Sequence, residues 1–119
     1  MKVTNATILS WYASLVALNK EKEVTFPIVF LYARRANMRI LEPIVKDFDE
    51  AKNLLIERYG EPGEDGRATV SMENKEFVKE YSDLLNIENE VELKTVKMEE
   101  VPTDMSARLF DSIEFMISE

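Results

Sequence analysis

Apolar residues recur at helical spacing through four stretches of this chain. In the first, Ile8, Tyr12, Leu15 and Val16, with Trp11 and Leu18 beside them, fall on one face. Thr4, Asn5 or Thr7 can cap the amides there, so a helix over residues 5–19 is predicted. Residues 20–23 are a polar break. Residues 24–26 are predicted extended, because the residue before a proline is pushed out of the α region. Pro27 suits the first position of a helix, where its missing amide hydrogen costs nothing. From there Phe30, Ala33, Asn37, Leu41, Ile44, Val45, Phe48, Ala51, Leu55 and Tyr59 trace one stripe over about eight turns. Gly60 is placed to end it as the residue just past the helix.

Pro43 lies inside that long stripe. It cannot donate to the carbonyl of Arg39, and its ring crowds the same carbonyl. Either one helix bends there, or two helices meet near Glu42. Residues 61–66 hold three turn residues and form a loop, with Asp65-Gly66 suited to a tight hairpin reversal, and residues 68–72 suit a short strand.

Phe77, Val78, Tyr81, Leu84 and Leu85 predict a helix over 73–86, capped by Ser71 or Asn74. Residues 91–94 alternate as a strand does, but Val96 and Met98 fall on the opposite parity, which calls for a bulge or for cover on both faces. Pro102 ends that strand. Met105, Leu109, Ile113 and Met116, widened by Phe110 and Ile117, predict a last helix starting near Thr103 or Asp104. The expected class is α+β: four helices, one long and bent or divided at Pro43, packed with a small antiparallel or mixed sheet.

A length of 119 residues is that of one domain, expected to span residues 1–119. Charged residues make up 32% of it, enough for a well-solvated surface. With no cysteine and no histidine, the chain lacks a thiolate nucleophile or zinc ligand and the commonest general base. The serines have no histidine to activate them, and the three glycines lie together between 60 and 66, so none forms a phosphate loop opening a helix. Asp47, Asp49 and Glu50, and again Glu61, Glu64 and Asp65, are acidic clusters without the alternating spacing of a calcium loop. No enzyme activity, cofactor or metal is expected. Ser10 and Ser14 interrupt the apolar run of residues 8–18, so no membrane span is expected either.

Charge divides the chain unevenly. Residues 1–60 carry nine Lys or Arg against seven Asp or Glu, net +2; residues 61–119 carry six against sixteen, net −10. Arg34, Arg35 and Arg39 stand within six positions of each other; Arg35 and Arg39, four apart, share a helix face. An overall charge of −8 opposes direct nucleic-acid binding. Asp83, Glu88, Glu90, Glu92, Glu99, Glu100, Asp104, Asp111 and Glu114 instead suit an acidic inhibitor that mimics nucleic acid before a host enzyme, although Lys94 and Lys97 interrupt the series.

Val29, Leu31, Tyr32, Met38 and Ile40 are apolar residues off the main stripe of the long helix. A helix greasy on several sides is buried between layers or covered by another subunit. Val29, Tyr32, Arg35, Met38 and Arg39 are therefore the candidate interface, since aromatics, methionine and arginine are what interfaces favour.

The segments "ANMRILEPIVKDFDEAKNLLIERYGEPGEDGR", "NKEFVKEYSDLLNIENEVEL" and "ARLFDSIEFMISE" resemble, in their succession, a group of small proteins of tailed phages and prophages. The shared pattern covers residues 33–119: a charged helix closing in Tyr-Gly and an acid-Gly loop, a helix ending in a leucine pair, a Val-Glu-Leu strand and a terminal amphipathic helix. Pro43 and the Trp11-Tyr12 pair are departures from that group's features. The resemblance implies a viral context, in the host cytoplasm or the virion, and carries no active-site residue. The leading expectation is a non-enzymatic phage or prophage accessory protein that acts by protein-protein contact, with a protein partner or with itself, as a virion or assembly component.

Overall fold

A computed structural model describes residues 1–18, 25–62, 68–71, 73–102 and 105–118. The class is α+β, with four helices and three two-stranded ladders among the described residues. The strand content is thus divided among separate pairs. The expected polar break at 20–23, the Asp65-Gly66 reversal and the Thr103 or Asp104 helix start lie outside the described residues.

The chain begins with β1 (Lys2–Thr4) and passes directly into α1 (Asn5–Ala17). Thr4 is the N-cap, its hydroxyl accepting from the Thr7 amide at 3.3 Å. That leaves Asn5 free of capping duty, and it turns inward to become, among the described residues, one of two buried asparagines.

The rod of the molecule is α2 (Ile28–Tyr59), which runs without interruption through Pro43; it is one helix. Pro27 stands one place earlier than expected, at the N-cap, where its carbonyl accepts from the Leu31 amide at 3.1 Å. Gly60 does end the helix, but with φ −77° and ψ 151° it leads straight into extended chain, and the left-handed turn that favours glycine is not used. At about 1.5 Å per residue the helix is about 48 Å long, and the long axis of the molecule is 50 Å. The radius of gyration, 17.5 Å, exceeds the roughly 13.5 Å of a compact chain this size.

Two packing clusters are strung along that rod. Toward its start, Phe30, Ala33 and Leu41 are buried with Ile8, Leu15 and Leu18 of α1 and with Val91, Val96, Val101, Ile113 and Met116 from the end of the chain. Toward its close, Phe48 meets Tyr81 and Tyr59 meets Phe77 of α3 (Lys75–Leu85), ring centroids 6.2 Å apart in each pair, while Phe77 and Tyr81 stack on each other at 5.7 Å. Asn74 caps α3, accepting from the Phe77 amide at 3.1 Å. Between α2 and α3 the chain forms the antiparallel pair β2 (Glu61–Pro62) and β3 (Ala68–Thr69).

The predicted strand at 91–94 is replaced by something else. The antiparallel partner of β1 is β4 (Glu88–Glu90), in the register Lys2↔Glu90, Val3↔Asn89 and Thr4↔Glu88. Asn5 locks the end of this ladder: its Nδ2 donates to the Leu84 carbonyl at 2.8 Å, its Oδ1 accepts from Asn89 Nδ2 at 2.7 Å, and its backbone amide donates to the Ile87 carbonyl at 2.9 Å.

Residues 91–95 are irregular, because Lys94 pairs with a side chain where a strand would be. Asn37, fully buried on α2, donates from Nδ2 to the Lys94 carbonyl at 2.9 Å and accepts the Lys94 amide on Oδ1 at 2.7 Å. The change of parity between Leu93 and Val96 falls inside this irregular stretch, so both Val91 and Val96 reach the core without a ladder bulge.

β5 (Val96–Lys97) then pairs in parallel with β6 (Ile117–Ser118). The connection between them is a 3-10 turn at Met98–Glu100, a short α4 (Ala107–Ser112) and a second 3-10 turn at Glu114–Met116. The long terminal helix predicted from periodicity is therefore cut into a helix, a turn and a strand. Ser106 caps α4. Ile113, at φ −114° and ψ 9°, breaks it, and Ile117 is taken up by Val96. A 3-10 turn repeats every three residues, so Ile113 and Met116 remain on the buried side and the apolar spacing looks helical.

Asn37→Ala removes both bonds of the clamp and strands the Lys94 amide and carbonyl. The expected loss is about 2–4 kcal/mol in urea unfolding; a loss under about 1 kcal/mol would show that the segment is held by its valines alone.

Candidate protein-contact face

A helix turns about 100° per residue, so the residues opposite the buried row Phe30, Ala33, Asn37 and Leu41 are Ile28, Tyr32, Arg35 and Arg39. All four are exposed, Ile28 by 78% and Tyr32 by 67%, and Val29 beside them by 50%. Val29, Tyr32, Arg35 and Arg39 of the candidate interface thus share one outward face. Met38 stands on the flank, half-buried against the core, as does Ile40. Ile28, the most exposed of these apolar side chains, is the first residue of the helix, directly after Pro27, and has no preceding turn to give it a periodic partner.

The three arginines separate. Arg34 points across to α1, its Nε donating to the Leu15 carbonyl at 2.9 Å. That carbonyl belongs to the last turn of α1, where acceptors outnumber amides and a positive charge is favoured. Burial lowers the Arg34 guanidinium from its ordinary value, and it stays cationic. Arg35 and Arg39 remain in solvent. From Thr25 to Leu41 the chain has these three cations and no acid.

One cation joins the face from elsewhere. Lys94, whose backbone is held by Asn37, carries its ammonium 5.9 Å from the centre of the Tyr32 ring, within reach of cation-π attraction. Nothing in the sequence relates positions 32 and 94; the link exists only because the clamp brings that segment to α2.

Elsewhere the polar groups serve packing. Arg58 pairs with Glu80 at 3.2 Å between α2 and α3. A hydrogen bond to Glu80, with burial and the Glu80 charge behind it, raises the Tyr59 hydroxyl above its ordinary range, and Arg58 opposes this. In the acidic half, Asp83, Glu88, Glu90, Glu92, Glu99, Asp111 and Glu114 are exposed; Glu90 meets the N-terminal ammonium at 2.6 Å, and Glu100 accepts from the Lys97 amide at 3.0 Å. Asp104 lies outside the described residues. Among those residues no group of three acidic side chains is placed to hold a metal ion, and no helix is long and apolar enough to cross a membrane.

No family model, no curated protein and no solved structure matches the chain.

The separation of the arginines has a direct test. Arg34→Met, which loses the bond to α1, should lower stability by about 1–3 kcal/mol, while Arg35→Met and Arg39→Met should each change it by under about 0.5 kcal/mol. Thermal melts of the three variants check this, and equal losses in all three would refute the assignment.

Proposed function

We propose that this chain is a non-enzymatic accessory protein of a tailed phage or prophage, working by protein-protein contact through the outward face of α2. The observation that carries the reading is the exposure of Ile28, Val29 and Tyr32 side by side on the rod, bordered by Arg35, Arg39 and Lys94. Solvent-facing apolar residues grouped in this way mark contact sites. Tyrosine and arginine supply contact area and charged hydrogen-bond donors at the centres of such surfaces. The phage context rests on the sequence resemblance over residues 33–119. A non-catalytic role is supported by the residue types, since the chain has no histidine and no cysteine; among the described residues, the shifts at Arg34 and Tyr59 both answer to helix packing.

A role as a virion or assembly component is supported by the same surface, since a stiff rod about 48 Å long presents its contact residues in a fixed row. The second reading, nucleic-acid mimicry, draws on the exposed carboxylates between Asp83 and Glu114.

Tyr32→Asp puts a charge in the middle of the apolar row without touching the core. The variant should keep the wild-type melting curve and lose the protein's stable contact by at least tenfold in affinity, about 1.4 kcal/mol. That contact is read by light scattering of the purified chain and by capture from infected or induced cells. A variant that keeps every wild-type contact overturns the reading; binding to a nuclease or polymerase that weakens steeply with salt would favour mimicry in its place.

A further inference from the structure

The molecule carries a second apolar surface feature that the contact face does not use. A groove of about 410 Å³ lies beside α4, walled by Met98, Val101, Pro102, Met105, Phe110 and Asp111. Met98, at its lip, is 57% exposed. The groove's one charged wall among the described residues is a carboxylate, Asp111, and Met98 is flanked by exposed Glu99 and exposed Lys97. Arg108, the cation of α4, lines a different cavity, against Ala13 and Ala17 of α1.

Groove and rod face are complementary in three respects. One is a ridge, with Tyr32 and Ile28 projecting from it; the other is a recess. Both are apolar at the centre. The ridge is bordered by Arg35 and Arg39, in a stretch without acids, and by Lys94; the recess has Asp111 as its charged wall, with Glu99 beside Met98 on one side and Lys97 on the other. Methionine walls suit this use, because their flexible thioethers fit themselves to an incoming ring. Both features stand open in the same folded chain, so the ridge does not fill its own groove.

We infer that the occupant of the α2 face is the Met98–Asp111 groove of a second copy of this chain. The inference rests on the contact reading above and deepens it by naming the partner. Because the two halves of the contact differ, it is made twice in a two-fold dimer, or it repeats from copy to copy into a ring or filament. Opposite charges at the border set the pairing of ridge with groove and disfavour ridge against ridge, where arginines would face arginines.

The test uses charge reversal on the full chain. One variant carries Arg35→Glu and Arg39→Glu; the other carries Glu99→Lys and Asp111→Lys. All four positions are exposed, so both variants should melt as the wild type does. In light scattering over a concentration series, the wild type should exceed the 13.8 kDa of a single chain. Each variant alone should associate about tenfold more weakly or worse. An equimolar mixture should recover the association, because the reversed ridge of the first variant then meets the reversed groove of the second. A wild type that stays single at every concentration overturns the inference, as do groove variants that associate normally and a mixture that does not recover. If Tyr32→Asp loses a captured protein that the groove variants keep, the contact reading stands and the second copy is the wrong partner.

Discussion

The two hydrogen bonds between Asn37 and the backbone of Lys94 hold the two halves of this molecule in register. A buried amide is costly to leave unpaired, and here it is satisfied only when residues 91–95 lie along α2 in one position. That position brings Val91 and Val96 into the core on either side of the clamp, sets β5 beside β6, and so places Ile113 and Met116 under the rod. Asn5 does the same at the other end of the segment, tying Leu84, Ile87 and Asn89 to the start of α1. Two asparagines thus do with side chains what a wider sheet does with backbone.

The clamp also explains the shape. Small ladders of two or three residues contribute little by themselves, so each is held by the element it packs on, and the longest such element is α2. Helices α1 and α3 pack on different stretches of it, and the chain's end completes only the first cluster. One side of the rod is consumed by this packing, and among the described residues of this 50 Å molecule no second layer covers the opposite side. Exposure of Ile28 and Tyr32 is a consequence of that geometry.

Helices were the legible part of the sequence. The stripe from Phe30 to Tyr59 follows from local spacing and appears as expected, and the caps fall on Thr4 and Asn74, each one of the candidates that side-chain chemistry left open. Strands were legible only as apolar alternation, and β1, β4 and β6 have too few residues to alternate. Asn37 was visible as a position on the stripe, but its partner is a backbone group 57 residues away, which periodicity does not encode. The candidate face divides in the same way. Arg35 and Arg39 share a side by spacing alone, whereas the departure of Arg34 to Leu15 and the arrival of Lys94 at Tyr32 depend on how distant segments pack.

Packing also bears on how well such a face can bind. Association costs entropy for every side chain and segment it must order. On α2 the backbone is already fixed from behind by Phe30, Ala33, Asn37 and Leu41, all buried. Tyr32 has only two side-chain torsions to lose, and Lys94 already rests against its ring. Arg35 and Arg39 are four apart on the same rigid turn spacing, so their separation is set before a partner arrives. The clamp that satisfies one buried amide therefore preorganises the opposite face of the helix, and the same asparagine links the stability of the fold to the readiness of its outer row.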